Sequence, residues 1–225
     1  MADPVYQLVW DKDGERLYET GVDHGVLFPR EGANYGKGVV WNGLSSVEEN
    51  PSGADSTAVW ADNIKYLNLT AAEDYGYTIT AYTYPEEWEE CDGSKSPAPG
   101  VYINQQARKK FGFSWRTKIG NDVDGSDHGY KLHIANNCSA APSSRSHQTV
   151  NESPEAAEMS WEVTTTPTNV SGYKPTAHLV IDSTKADPTK LAALEAVLYG
   201  TPASGQTSAV DSRLPSPDEV IRMLT

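Results

Sequence analysis

Alternation of apolar and polar residues, repeated along most of its length, is the feature that most restricts the fold of this 225-residue chain. Phe111, Phe113 and Trp115 alternate with Gly112, Ser114 and Arg116, while Met159, Trp161 and Val163 alternate with Ser160, Glu162 and Thr164. A period of two is what a strand with one buried face requires. Tyr77, Ile79 and Ala81 follow the same rule, as do Tyr130, Leu132 and Ile134 after the polar turn GNDVDGSDHG, and Ala177, Leu179 and Ile181 after a break at Lys174-Pro175. With Gly38 to Asn42 and Ile64 to Leu69, the pattern predicts roughly seven strands.

Two segments depart from period two. Asp187 can cap a helix with Pro188 in its first position, and Leu191, Leu194, Val197 and Leu198 form an apolar stripe ending at Gly200. Ser216 and Glu219 form a capping box around Pro217 and lead into a second, shorter helix. The expected architecture is therefore a mainly β chain. It is a β-sandwich with one flanking amphipathic helix over residues 1–200, followed over 201–225 by a small polar, flexible linker and a short C-terminal helix.

A formal net charge of −13 argues against a surface that binds nucleic acid through its phosphates. No stretch approaches the roughly 20 apolar residues needed to cross a bilayer, and the N-terminal residues carry neither a basic start nor an apolar core of a leader, so synthesis in the cytoplasm and no membrane contact are expected. Cys91 and Cys138 lack metal-ligand spacing and read as reduced thiols, with no metal or cofactor expected.

Several segments have the outline of chemistry. GANYGKG, from Gly32, is one residue short of a phosphate loop and ends on Gly38 where a magnesium-binding hydroxyl belongs. NDVDGSD, from Asn121, lacks the glycine and the closing glutamate of a calcium loop and reads as a hairpin turn on Asp124-Gly125. Asp23-His24-Gly25 and Asp127-His128-Gly129 pair an acid with a base but have no nucleophile nearby in sequence, so turns leading into strands are expected. In PEEWEE, Glu87 and Glu89 on an extended face would stand roughly 7 Å apart, a spacing a glycosidase can use. Four acids without a cation nearby along the chain favour a solvated loop with Trp88 tucked beneath it.

The blocks VVWNGLSSVEENPSGA, WADNIKYLNL, and AYTYPEEWEECDG followed by FGFSWRT lie in a succession from about Gly21 to Gly200 that resembles the major tail proteins of long noncontractile-tailed bacteriophages. The resemblance implies a structural virion protein of the tail, a tube subunit that assembles with itself into stacked, hexameric rings around a channel for ejected DNA. It implies tape measure, distal tail and terminator proteins as further partners, only transient and non-specific passage of DNA, and no catalytic residues.

Within that expectation, Ser114, Glu162 and Thr164 are candidates to line the channel, since small, polar or acidic groups would let DNA slide. The segment Ser45 to Asn63 is too long for a tight hairpin and is expected to be a loop that staples one ring to the next, through Glu48, Glu49, Asp55, Val59 and Trp60. Two other classes remain open from the residues alone: a carbohydrate-binding β-sandwich using Tyr82, Tyr84 and Trp88, and a glycosidase using the Glu cluster.

Overall fold

The computed structural model describes residues 8–150, 152, 156–204 and 208–225. In chain order the elements are β1 (Tyr18–Glu31), β2 (Asn34–Tyr35), β3 (Val39–Trp41), β4 (Leu44–Glu49), β5 (Ser52–Gly53), β6 (Ser56–Ala61), β7 (Ile64–Thr70), β8 (Glu73–Asp74), β9 (Gly76–Ala81) and α1 (Trp88–Asp92). Then follow β10 (Lys95–Ala98), β11 (Val101–Ile103), β12 (Phe111–Asn121), β13 (Gly125–Ala140), β14 (Met159–Thr165), β15 (His178–Asp182), α2 (Pro188–Tyr199) and α3 (Pro217–Leu224). The chain is mainly β, with few helices, as its alternation requires.

One antiparallel, nine-stranded sheet carries the fold, in the order β2-β1-β12-β13-β14-β9-β4, with β15 added to β13 and β3 to β1. Strand β13 is long enough to divide its pairing: Gly125 to Cys138 lies along β12, and Cys138 to Ala140 continues onto β14. The sheet curls until its ends meet, so that Leu44 of β4 packs directly against Gly25 of β1 and leaves no room there for a Cβ. Enclosed between the two halves is an aromatic core of Trp41, Tyr77, Trp88, Phe111, Phe113, Trp115 and Trp161. Trp41, Trp88 and Trp161 meet edge-on, with centroids 4.7 to 5.7 Å apart.

A second core lies outside the sheet. Val26, Phe28, Leu132 and Ile134 face Leu191, Leu194 and Leu198 of α2, with Leu214 and Val220 completing the layer. Asp187 Oδ1 caps α2 by accepting from the Thr189 and Lys190 amides at 2.9 and 3.0 Å. Ser216 Oγ accepts from the Glu219 amide, but the Glu219 carboxylate turns to Arg213 in a bidentate pair instead of closing the expected capping box. The apolar stripe is narrower than the spacing suggests, because Val197 is only half-buried beside the fully buried Leu194 and Leu198.

Two expectations change here. Strand β12 is buried on both faces: Phe113 enters the inner core, while Ser114 is covered by the helix layer. The segment after Gly200 is also less free than its composition implies. Thr201 and Val210 exchange backbone hydrogen bonds, and Ser212 Oγ accepts from the Gly38 amide at 3.0 Å. Part of the expected linker, residues 205–207, lies outside the described residues.

Strand β1 is absent from the sequence reading because it does not alternate. Val26, Leu27 and Phe28 are all buried, between the two cores, and two register shifts bend the strand at Gly21 and at His24-Gly25. Asp23-His24-Gly25 is thus a bulge within a strand and not a turn before one; His24 sits at φ 52°.

Candidate functional site

The feature that stands apart from this body is the excursion from Asn50 to Tyr75. The sequence reads its first half as a loop, yet it forms two short ladders: Ser52 and Gly53 against Asp74 and Glu73, then β6 against β7. The turn between β6 and β7 is Asp62-Asn63, with φ of 51° and 63°. Positive φ at both central residues is the requirement of a two-residue hairpin turn, and Asx residues tolerate it. Asp62-Asn63 between Trp60 and Ile64 was the available signal, masked by the Pro-, Gly- and Ser-rich stretch before it. Asp55 lies between the two ladders, Val59 and Trp60 lie on β6, and Glu48 and Glu49 belong to β4 of the main sheet, not to a loop.

Alternation places Val59, Leu67 and Leu69 on one face of the hairpin, with Trp60, Ile64 and Tyr66 near its tip. Trp60 is 67% exposed, and Ile64, Tyr66 and Leu69 about as much. Among the described residues β6 and β7 pair only with each other. A lone two-stranded ribbon is marginal in water, and its apolar side chains gain little by remaining there.

A second surface is the outer face of β4, β9 and β14. Register aligns Ser46, Thr80 and Ser160 in one row and Glu48, Thr78 and Glu162 in the next, with Thr164 beyond them opposite Gly76. Glu162 and Thr164 are exposed; Ser114, named with them from the sequence, sits on a different strand beneath the helix layer and is fully buried. These rows contain hydroxyls and carboxylates and no Lys or Arg. Their inner-face neighbours Val47, Ile79, Trp161 and Val163 belong to or pack against the aromatic core, which fixes the outward direction of the polar set. At the end of the sheet, β4 pairs on one side only, with β9, among the described residues.

The feet of the hairpin meet a third feature. Glu49 ends β4 on the inward side, where its Oε1 lies 3.5 Å from His133 Nδ1 and its Oε2 lies 3.8 Å from His178 Nδ1. The two imidazoles approach each other at 3.2 Å, His133 Nδ1 to His178 Nε2. Trp115 stacks on both rings, and Tyr75, at the other foot, stacks on His178 with centroids 4.3 Å apart. Burial lowers His133 to about 4, against the opposing pull of Glu19, and lowers His178 to about 3 with His133 adding to the effect. Burial also raises Glu49. Lys131, ion-paired with Glu19, and Tyr75 complete the titratable surroundings. Sequence reasoning missed this cluster, since its members come from three strands with no local motif.

The acid cluster takes a different form from either reading. Glu87, Glu89 and Glu90 lie at the start of α1, not on an extended face, so the carboxylate spacing inferred for a glycosidase does not apply. Trp88 is buried in the aromatic core. Lys109, distant in sequence, reaches Glu90 at 2.9 Å, and the Tyr84 hydroxyl donates to Glu89 at 2.9 Å. Of the aromatics proposed to bind sugar, Trp88 is therefore inaccessible and Tyr84 is engaged by Glu89 and by Arg145 stacked over its ring. Tyr82 alone among the three is exposed.

No protein-family model matches the chain, and no curated protein matches it. Among solved structures, a chain of the sheath–tube complex of an extracellular contractile injection system, PVC, in its extended state, is similar over 71% of this chain and 88% of its own length, at 11% identity and a TM-score of 0.29. A superposition that loose assigns neither a fold family nor a role.

Proposed function

We propose that this chain is a self-assembling subunit of a phage tail tube, in which the Asn50 to Tyr75 hairpin reaches into the next ring. The observation that carries the reading is the hairpin itself: a ribbon of exposed Trp60, Ile64, Tyr66 and Leu69 that the other described residues leave uncovered. Burying such a set against a second copy removes apolar surface at about 25 cal/mol per Å² and turns a marginal ribbon into an ordered one. Leu8, Val9 and Trp10, also exposed, supply a second apolar strip in the N-terminal arm.

The polar face of β4, β9 and β14 suits a channel wall. DNA bears about one charge per 1.7 Å of axis, so a wall of hydroxyls with Glu48 and Glu162 offers it no cation to hold. On this reading Glu162 and Thr164 remain lining residues, Glu48, Thr78 and Thr80 join them, and Ser114 is removed by its burial. The noncontractile tail, the hexameric ring, the tape measure, distal tail and terminator partners, and passage of DNA belong to this proposal through the sequence resemblance. So does location in the virion tail. With a net charge of −13 per copy, assembly depends on apolar contact and strand pairing, and low salt opposes it.

Electron microscopy of the purified protein at moderate salt tests the proposal. Tubes or stacked rings are expected as concentration rises. A particle that remains a monomer at every concentration and salt would remove the reading, because the hairpin would then have no partner of its own kind.

A further inference from the structure

We propose that Glu49, His133 and His178 form a binding site for a divalent transition-metal ion of the zinc class, which ties the root of the projecting hairpin to the sheet behind it. One carboxylate oxygen and one nitrogen from each ring all lie within 4.8 Å of one another. Two approaches to His133 Nδ1, 3.2 Å from His178 Nε2 and 3.5 Å from Glu49 Oε1, lie close to the spacing of about 3.3 Å that bonds of about 2.0 to 2.1 Å impose at a tetrahedral ion, while Glu49 comes nearest His178 at its other nitrogen, Nδ1, at 3.8 Å, so the carboxylate has to swing toward Nε2 to complete the set. Imidazole with carboxylate is a donor set for zinc, cobalt or nickel, and is too rich in nitrogen for calcium or magnesium.

The surroundings do what a metal site requires of them. Trp115 lies parallel to both imidazoles, at 8° and 4°, and Tyr75 holds the far ring at 13°, so neither ring has to be ordered when an ion enters. Thr117 Oγ1 is 3.1 Å from His133 Nε2, the nitrogen that faces away from the cluster, and can accept its proton so that Nδ1 presents a lone pair. Tyr75 Oη is buried without a hydrogen-bond partner among the described residues, and its ring lies against His178. It is placed to bond a water on the ion or the outer oxygen of Glu49. The half-exposed Glu49 leaves one side open for entry and for that water.

Glu49 is the last residue of β4 and Tyr75 the last before β9, so both strands that feed the hairpin end at this site. An ion there fixes the angle at which the hairpin leaves the body, whatever the hairpin binds.

The test is titration of the full, untagged chain, stripped with chelator, first with CoCl2 and then with ZnCl2. Expected are the visible absorption bands of a low-symmetry cobalt site saturating at one ion per chain, their loss on adding zinc, and a melting temperature raised by zinc. E49Q changes a half-exposed strand end and should weaken cobalt binding at least about tenfold while the circular dichroism stays that of the parent. H178Q should abolish the bands. Absence of saturable binding at one ion per chain overturns the proposal, as does parental affinity in E49Q; the second outcome stands even where H178Q fails to fold.

Discussion

The inner core and the projecting hairpin are built from the same kinds of residue and meet opposite fates. Trp41, Trp88 and Trp161 interlock edge-on within the curled sheet, and each is nearly or wholly buried. Trp60, carried on β6, stands 67% exposed, and among the described residues that strand pairs only with β7. The difference lies in what lies opposite. Every inward face of the body meets another layer, whereas the ribbon has none among the described residues. Local alternation therefore reports that a strand exists, and only the topology decides whether its apolar face is a core or an interface.

The contrast is broken most sharply at Trp161. Its replacement by alanine removes one of three mutually packed indoles and should cost about 3 to 5 kcal/mol in urea unfolding, the range for truncating a buried aromatic. A change below 1 kcal/mol would mean that the aromatic layer is not the core of the body.

Next in size is an acid sensitivity at the boundary between the two regions. His133 and His178 are held neutral by burial, with folded values of about 4 and about 3, while the unfolded imidazoles titrate near 6.5. Below pH 6.5 the unfolded chain binds more protons than the folded one, so stability falls as pH falls. The contribution is complete above pH 6.5, and its loss by pH 4 is on the order of 3 kcal/mol for each imidazole. Urea unfolding in chelator at pH 7, 5 and 4 should show the loss in the parent and a shallower slope in H178Q. Equal slopes would show that the buried imidazoles do not govern it.

Smallest is the expected effect of Trp60→Ser on the isolated chain. An exposed side chain outside any packed layer contributes within about 0.5 kcal/mol, so melting should be unchanged while assembly weakens. A loss comparable to that of Trp161→Ala would show that the ribbon folds back onto the body.

Much of the body was legible in its sequence. The strands around Ile79, Phe113, Leu132, Trp161 and Ile181, and the helix capped by Asp187, follow from periodicity and capping because local pattern and tertiary burial agree there. Three features were not. Strand β1 hides its period because Val26, Leu27 and Phe28 are buried on both faces. Ser114 looks like a solvated position, yet its strand is overlaid by α2 and α3, which no local window reveals. The Glu49, His133 and His178 cluster assembles across sheet register, where spacing along the chain carries no information. The hairpin falls between these cases: Ile64 to Leu69 is evident as a strand, but its partner Ser56 to Ala61 is obscured by the turn-rich residues before it.

The most direct test of the account replaces Pro51 to Asp74 with a short Gly/Ser turn joining β4 to β9, a shorter closure whose cost changes only by about 1 kcal/mol. The account predicts that the shortened chain keeps the circular dichroism and cooperative unfolding of the parent body and forms no tubes under the electron microscope. Tubes of normal length from the shortened chain would contradict it.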